Sequence, residues 1–396
     1  MMRIGLVLSG GVEEGTEDRS PFPVFVQLIR QLARENEVQV FSLQGENRIG
    51  AFPVAGPKPA PYRFAGAEVF QLGTTRAPRL RIAVDIVRLL ALIHLAKPRS
   101  RRPQILHGID QAPGFVAIVA ARLLGVPSVV SLVGKELTNL PSAGYGALRT
   151  AKGRAMMQLE LRCADALTAA SGFMQKRVEA HGARARRLPF GIDVHRFLFP
   201  VTRPAGPPFR LLHVGTLYPV KDQLTLIRAM RLIVDGGFDA ELDIVGWDAW
   251  GGAVQREVAR LELTPRIKFH GWRSQAELVS LYRNAHVFVM ASIDDVAPVA
   301  VLEAAASGLP VVGTDVGFIA DWAPDMAVKS PVGDPVALAR AVQDVLSNQG
   351  HREELAARAQ RWVLAHASLK ANDAFVDLYR ELLLRRGVAL DAQGEA

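Results

Sequence analysis

The sequence has almost none of the residues that build cross-links or cysteine-based metal centres. It contains one cysteine, Cys163, among 396 residues. A single cysteine cannot form a disulfide within the chain, which fits a reducing compartment and excludes a cysteine-based zinc or iron–sulfur site. Stability must therefore come from packed side chains, which the 49% of hydrophobic residues can supply.

Long uninterrupted hydrophobic runs are also missing. The two longest apolar stretches, 82–96 and 114–133, are broken by charged residues, glycine or proline. Neither offers the roughly 20 apolar residues that cross a bilayer. The chain begins directly with a strand-like run, without the apolar core and cleavage site of a secretory signal. We therefore expect a cytoplasmic protein and leave open a peripheral position at the inner membrane face.

Aromatic residues are scarce, at 7% of the chain. The net charge of +8 would suit nucleic acid, but we find no basic stretch interleaved with aromatics and no recognisable nucleic-acid module. We therefore expect no nucleic-acid partner. The charge is uneven, because residues 1–205 hold 28 Lys and Arg against 15 Asp and Glu, whereas residues 206–396 hold 19 against 24.

The two halves of the chain share one pattern. Each begins with an apolar strand that runs into a glycine turn, RIGLVLSGG from Arg3 and RLLHVGTL from Arg210. A helix-period segment and another strand follow in both halves, which is the alternation that builds parallel sheets. A segment with five prolines and two glycines, 189–209, lies between them. The sequence predicts an α/β protein of two doubly wound, Rossmann-like domains, 1–205 and 206–375, with a ligand cleft between them.

The most informative segment is ASIDDVAPVAVLEAAASGLPVVGTDVG, which starts at Ala291. A strand, a loop with two acids and a helix follow one another, so that Asp295 lies near the helix start. Glu303 comes eight residues later, where its carboxylate could accept hydrogen bonds from ligand hydroxyls. The alternative makes Asp295 an ordinary helix cap and Glu303 a solvated helix residue. Free amides around the helix start could bind a phosphate; this region comprises Val296, Ala297, Pro298 and Val299.

This segment resembles the acid-x7-Glu signature of the retaining GT-B glycosyltransferases, the large family called glycosyltransferase family 4 or group 1. Its EAAASGLPVV is similar to the family's Glu-Ala-x-Ala-x-Gly-x-Pro-Val-Val stretch. The family's segment whose lysine binds the donor diphosphate is similar to VGTLYPVKDQLTLIRA. Its interdomain segment is similar to LPFGIDVHRF, and the strand, serine and helix that precede this interdomain segment are similar to ADALTAASGFMQKRV. The likeness covers roughly residues 3–380.

The resemblance implies transfer of a sugar from a nucleoside-diphosphate sugar to a glycan or lipid-linked acceptor, with no metal and no further cofactor. Lys221, which would otherwise be an ordinary surface lysine, would neutralise the diphosphate beside Gly215 and Thr216. Asp295 would contact the hydroxyls of the donor sugar and Glu303 the ribose. A leaving-phosphate oxygen is thought to take the acceptor's proton in this family. The helix before a C-terminal tail, 376–396, is expected to cross back to the first domain.

Weaker landmarks of the family add further candidates. SGGVEEG resembles its N-terminal glycine loop, which would bring Gly10 and Gly11 near the donor phosphate. Gly271 and Trp272 correspond in position to the region that recognises the base. The acceptor-side candidates are His107, Gly134 and Glu136. His107 is predicted to face the cleft from a strand end, and a structural histidine is the alternative.

Four positions depart from the family pattern. Asp295 stands where glutamate is usual, and Thr216 stands where an arginine often follows the Val-Gly pair. Val133 stands where many relatives have histidine, and Phe318 stands where a second glycine is usual. Together they leave open an altered donor or a non-catalytic binding or scaffold protein. A nucleotide-sugar epimerase of the same architecture is a further alternative.

The segment from Arg76 to Arg102 holds eight Lys and Arg against one acid. Helical spacing places Arg81, Asp85 and Arg88 on one narrow stripe beside a broad apolar face. Such a helix suits an anionic membrane surface, and the alternative is a helix packed on the sheet with its arginines solvated. Because the first half would hold the acceptor, its positive charge also suits an anionic acceptor.

Overall fold

The structure is a computed structural model that describes residues 1–10, 12, 20, 22–43, 61–73, 80–95, 99–203 and 206–388. Gly11, most of the SGGVEEG loop, part of the basic segment and residues 389–396 lie outside the described residues. The predicted α/β architecture of two Rossmann-like units is confirmed, each unit built on its own largely parallel sheet.

The first sheet has the order β3-β4-β2-β1-β5-β6-β7-β8, and all of its pairs are parallel except β3 with β4. Its central strands are short apolar runs buried on both faces, as expected for a covered parallel sheet. The strands are β1 (Arg3–Leu8), β2 (Glu37–Ser42), β3 (Tyr62–Phe64), β4 (Ala67–Gln71), β5 (Ile105–Ile109), β6 (Ser128–Leu132), β7 (Ala166–Ala169) and β8 (Arg186–Arg187). Its helices are α1 (Pro23–Leu32), α2 (Arg81–Leu95), α3 (Gln111–Leu124), α4 (Ala151–Cys163) and α5 (Gly172–Ala180). The sequence pattern alone does not predict β3, β4 or β8.

The short helix α6 (Val194–Phe197) lies in the segment that leads to the second sheet. That sheet has the order β11-β10-β9-β12-β13-β14 and is parallel throughout. Its strands are β9 (Phe209–Val214), β10 (Ala240–Val245), β11 (Ile267–Gly271), β12 (Val287–Met290), β13 (Val311–Thr314) and β14 (Val328–Ser330). Its helices are α7 (Gln223–Asp235), α8 (Ala253–Arg260), α9 (Gln275–Asn284), α10 (Val299–Ala306), α11 (Gly317–Trp322), α12 (Pro335–Ser347) and α13 (Gln349–His366). The strand order reverses between β9 and β12, which is the switch point where doubly wound sheets bind ligands.

The last helix, α14 (Asp373–Arg385), contacts the first unit. Its Tyr379 hydroxyl lies 2.6 Å from Nδ1 of His107, and Asp373 accepts a hydrogen bond of 2.8 Å from Gln31. Just after the helix, the Arg386 guanidinium pairs with Asp165 at 2.9 Å. The chain therefore crosses back to the first unit through α14, which lies largely within the segment 376–396 that was expected to be a tail.

Helix α2 packs on the first sheet, so the alternative of a packed helix is confirmed. Leu89 and Ile93 are fully or almost fully buried. The charged stripe of this helix is not solvated, because Asp85 is only 2% exposed and Arg88 donates to the carbonyl of Leu72 at 2.8 Å. The carbonyls just after β4 accept hydrogen bonds from Arg88, so the charged side of α2 faces the protein. Val87 is consequently left 65% exposed. Among the described helices none is long and apolar enough to cross a membrane.

Candidate active site

A cavity of about 370 Å³ lies at the switch point of the second sheet, at the carboxyl ends of β9, β10 and β12. Ser20 and Pro23 of the first unit also line it, so the cavity faces the cleft between the two units. The sequence-predicted residues that line this cavity are Gly215, Thr216, Lys221, Trp272, Asp295, Ala297, Pro298, Val299 and Glu303. The structure therefore brings together most of the predicted donor site. Gly10 follows β1 with a φ of +127°, and Gly271, with a φ of +67°, ends β11 next to Trp272.

Lys221 is placed by a tight turn after β9. The 3-10 turn Pro219–Lys221 is followed by Asp222, whose left-handed φ of +45° and side chain start α7. The turn directs the Lys221 ammonium into the cavity, where it forms an ion pair with Oδ2 of Asp295. An ordinary surface lysine would not have this environment, since only 26% of the Lys221 side chain is exposed.

The predicted start of α10 near Pro298 is confirmed, with Pro298 as the N-cap residue. No side chain caps this helix start, so the alternative of Asp295 as an ordinary cap is wrong. The first-turn amides have no side-chain acceptor and carry the partial positive charge that suits a phosphate. Val296 is not exposed to the cavity, because it is buried, at 1% exposure, and its carbonyl accepts a hydrogen bond from Ser171.

Gly317 allows the acid loop to lie this close to the next helix. Its φ is +53°, and a Cβ there would lie 2.2 Å from the carbonyl oxygen of Asp295. Only glycine fits such a position. The departure at Phe318 has a structural use, because that ring is 1% exposed and packs 5.6 Å from Trp322.

Glu303 is a buried carboxylate and not the solvated helix residue of the alternative. It is 4% exposed and accepts hydrogen bonds of 2.9 Å from both Gln275 and Tyr282. Burial raises its pKa to about 7, while the two hydrogen bonds and the nearby charge of Arg196 act in the opposite direction. Each carboxylate oxygen keeps a lone pair for a further donor, such as a ligand hydroxyl.

Contacts between the units hold the acid loop from the opposite side. Asp294 is 2% exposed, and its Oδ1 lies 2.8 Å from the Arg177 guanidinium. Thr138 donates to Oδ2 of Asp294 and accepts a hydrogen bond of 3.1 Å from Arg177. Asp321 of α11 accepts from the amide of Gly172 at 2.7 Å. Asp294, Arg177 and Thr138 were not predicted from the sequence, where the pair of adjacent acids in SIDDV was the only available signal.

A buried polar pair lies beneath the loop after β9. Nδ1 of His213 donates to the carbonyl of Val289 at 3.0 Å, which leaves Nε2 as an acceptor for Gln223 at 3.2 Å. Gln223 also donates to the carbonyl of Thr216 at 3.0 Å. Burial lowers the pKa of His213 to about 4, so this histidine is neutral. The pair supports the turn at Thr216, and sequence reasoning missed it.

The acceptor-side candidates are arranged differently from the prediction. His107 is fully buried between Tyr379 and Ser131, at 2.6 and 2.7 Å. Its predicted orientation toward the cleft is wrong and the structural alternative is confirmed, because α14 covers it; burial lowers its pKa to about 3. Glu136 is also fully buried and accepts from the amide of Gly134 at 2.7 Å, so its carboxylate holds its own loop.

Within the described ranges, no group of three or more His, Cys, Asp or Glu side chains is arranged to hold a metal ion. The independence of the reaction from metal stays a prediction.

Comparison with known proteins identifies the family. A family model described as "Glycosyl transferases group 1" matches residues 208–348, and a model described as "Glycosyl transferase 4-like domain" matches residues 23–191. The chain belongs to the group 1 glycosyltransferases. Each of the two models matches one unit of this glycosyltransferase, and the unit of the second sheet supplies most of the residues that line the cavity.

Relatives and solved structures agree with this assignment. The glycosyltransferase is 27% identical to a glycogen synthase of Mycobacterium tuberculosis over 69% of the chain and 67% of the relative. It is 29% identical to a GDP-mannose-dependent alpha-mannosyltransferase of the same species over 79% and 86%. The fold is that of a sucrose-phosphate synthase from Thermosynechococcus elongatus, with a TM-score of 0.79, 18% identity and coverage of 97% and 100%. The predicted GT-B fold is thereby confirmed.

Proposed function

We propose that this glycosyltransferase moves a sugar from a nucleoside-diphosphate sugar to a glycan or lipid-linked acceptor, with retention of the anomeric configuration and without a metal ion. The observation that carries the proposal is a single cavity that collects a cation, an uncapped helix start and a buried carboxylate. These are Lys221, the first turn of α10 and Glu303.

Each group matches one part of such a donor. The Lys221 ammonium and the α10 amides would bind the diphosphate, since both present positive charge in a partly dry cleft. The carboxylate of Glu303 would accept hydrogen bonds from the ribose diol. Asp295 would bind the hydroxyls of the transferred sugar once the diphosphate takes its place beside Lys221.

The proposed step forms a bond between the acceptor oxygen and C1 of the sugar while the bond from C1 to the diphosphate oxygen breaks. The acceptor's proton passes to the departing phosphate oxygen, and the nucleoside diphosphate leaves. Support for this proton route comes from His107 and Glu136, which are buried with their polar atoms engaged elsewhere.

The acceptor would dock on the first unit, from which Ser20 and Pro23 reach the cavity. The excess of positive charge in residues 1–205 favours an anionic acceptor. A cytoplasmic location and contact with an anionic membrane surface stay predictions from the sequence.

The test is a transfer assay with GDP-mannose, UDP-glucose and ADP-glucose over a panel of anionic and neutral acceptors. GDP-mannose is included because the named mannosyltransferase relative depends on it. Mass spectrometry would detect the transferred sugar, and NMR of the product would report its anomeric configuration. Transfer with retention that is lost in Lys221→Ala supports the proposal. A sugar nucleotide of unchanged mass but altered configuration would indicate an epimerase, and binding without turnover would indicate a non-catalytic protein.

A further inference from the structure

A chain of hydrogen bonds connects the segment between the two units to Glu303. Arg196 lies in α6, and its Nη1 donates to Oε1 of Gln275 at 3.3 Å. Nε2 of Gln275 donates in turn to Oε1 of Glu303 at 2.9 Å. Gln275 and Glu303 both line the cavity. This chain of hydrogen bonds therefore begins in the segment between the units and ends in the proposed donor pocket.

The chemistry of the two ends sets the orientation of the amide in the middle. A guanidinium can only donate hydrogen bonds, and an ionised carboxylate can only accept them. Gln275 must therefore turn its oxygen to Arg196 and its NH2 group to Glu303. Without Arg196, the amide would lose this constraint, and a flipped amide would place its oxygen against the carboxylate.

We propose that Arg196 is a positioning residue for donor binding, which acts through Gln275 to keep Glu303 ionised and oriented toward the ribose diol. The inference rests on the proposed function, because it assigns a support to the ribose contact of that same site. It also links the pocket to the segment between the units.

The charges around Glu303 agree with this role. Burial raises the pKa of Glu303, and hydrogen bonds from Gln275 and Tyr282 together with the charge of Arg196 lower it. Asp193 lies 3.9 Å from Arg196 and offsets part of its charge. The other charged groups that line the cavity are Lys221, Asp295 and Arg273.

The experiment is calorimetric titration of the full-length protein with UDP, GDP and ADP between pH 6 and pH 9. Wild-type affinity should rise through pH 7 as Glu303 ionises. In Arg196→Met, the loss of positive charge raises the pKa of Glu303 further. For a shift of about one pKa unit, we expect affinity at pH 7 to fall about fivefold, because the ionised fraction of Glu303 drops from about one half to about one tenth, and to approach the wild-type value at pH 9. Arg196→Lys, which keeps the charge, should lie between the two.

Two further variants separate this role from general support of the structure. Gln275→Met removes the middle residue of the hydrogen-bond chain and should displace the pH profile as Arg196→Met does. In a Glu303→Gln background, Arg196→Met should produce no further pH-dependent change. Arg210→Met is the matched control, because Arg210 is a half-exposed arginine of β9 whose nearest acid, Glu241, is 4.0 Å away.

An equal loss of affinity at every pH would overturn the inference, and so would an unchanged profile in Arg196→Met. If wild-type protein bound none of the three nucleotides, the proposed function itself would fail. The two failures are therefore distinguishable.

Discussion

The ammonium of Lys221 and the carboxylate of Asp295 form an ion pair that joins the turn after β9 to the loop after β12. These loops flank the switch point of the second sheet, and both residues line the cavity there. Their side chains are 26% and 16% exposed, so the pair is partly shielded from water. A diphosphate that enters the cavity must compete with Asp295 for the same cation.

This competition predicts opposite effects of Asp295→Asn on binding and on turnover. Removing the carboxylate frees Lys221, so the affinity for the nucleoside diphosphate should rise by several fold, since surface-near charge pairs are worth about 1 kcal/mol. Turnover should fall at least tenfold, because the sugar loses its carboxylate contact. Calorimetry and nucleotide release measure the two effects. Weaker nucleotide binding in Asp295→Asn would show that the pair does not have to separate.

Because Glu303 is buried, we expect the nucleotide affinity of the proposed donor site to depend on pH. Burial raises the pKa of Glu303 to about 7, so the ionised form, which would accept the ribose hydroxyls in the proposed function, increases between pH 6 and pH 8. Nucleotide affinity should rise over this window in the wild type. Glu303→Gln should bind more weakly, and the part of the pH dependence due to this carboxyl should disappear. Each profile is compared with the wild type at the same pH, which cancels the titration of the nucleotide's own phosphate.

The contacts of Asp294 predict that the first unit helps to position the acid loop. Asp294→Asn and Arg177→Met should each lower turnover about tenfold, because each breaks the charged contact between the units that Arg177 makes with the buried Asp294. The double variant should be little worse than either single variant, which corresponds to a coupling energy of about 1 kcal/mol. Strictly additive losses in nucleotide release would contradict a direct coupling.

Glu160 predicts a stability effect away from the site. It is fully buried, and neither of its carboxylate oxygens has a hydrogen-bond partner among the described residues. Burial, with the nearby charges of Glu136 and Asp110, raises its pKa to about 10. The stability of the fold is therefore unaffected by this group below the usual pKa of 4.5 and falls as the pH rises from 4.5 toward 10, because Glu160 can ionise in the unfolded chain but not in the folded one.

Glu160→Gln should therefore leave the melting temperature nearly unchanged at pH 5 and raise it by roughly 3 °C or more at pH 9. Thermal denaturation at both pH values measures the difference. Glu354→Gln, at an exposed glutamate, is the control. A similar shift at both pH values would argue against ionisation as the cause.

Much of the candidate site could be predicted because it is local in sequence. The strand, loop and helix around Asp295 and Glu303 form one segment, and the turn before Lys221 is another. Parallel strands bring these segments to the same edge of the sheet. The order of apolar runs therefore predicts that these segments share an edge, and the family resemblance implies which of their side chains meet in the cavity.

The contacts that support the site could not be predicted, because they depend on the packing of distant segments. Thr138 and Asp294 are 156 positions apart. The sequence predicts that His107 faces the cleft, because nothing in its own strand shows that Tyr379 will cover it. Arg88 turns inward because the end of β4 leaves carbonyls that need donors, which helical periodicity alone does not reveal.

Calorimetric titration of UDP, GDP and ADP into the wild type, Lys221→Ala and the exposed control Lys268→Ala tests the central claim most directly. We predict that one nucleotide binds the wild type at one site. Its affinity should fall by about 10- to 100-fold in Lys221→Ala, since a charged hydrogen bond contributes about 1.5–3 kcal/mol, and should be unchanged in Lys268→Ala. Binding of none of the three nucleotides, or equal binding by all three proteins, would contradict the assignment of this cavity as the donor site.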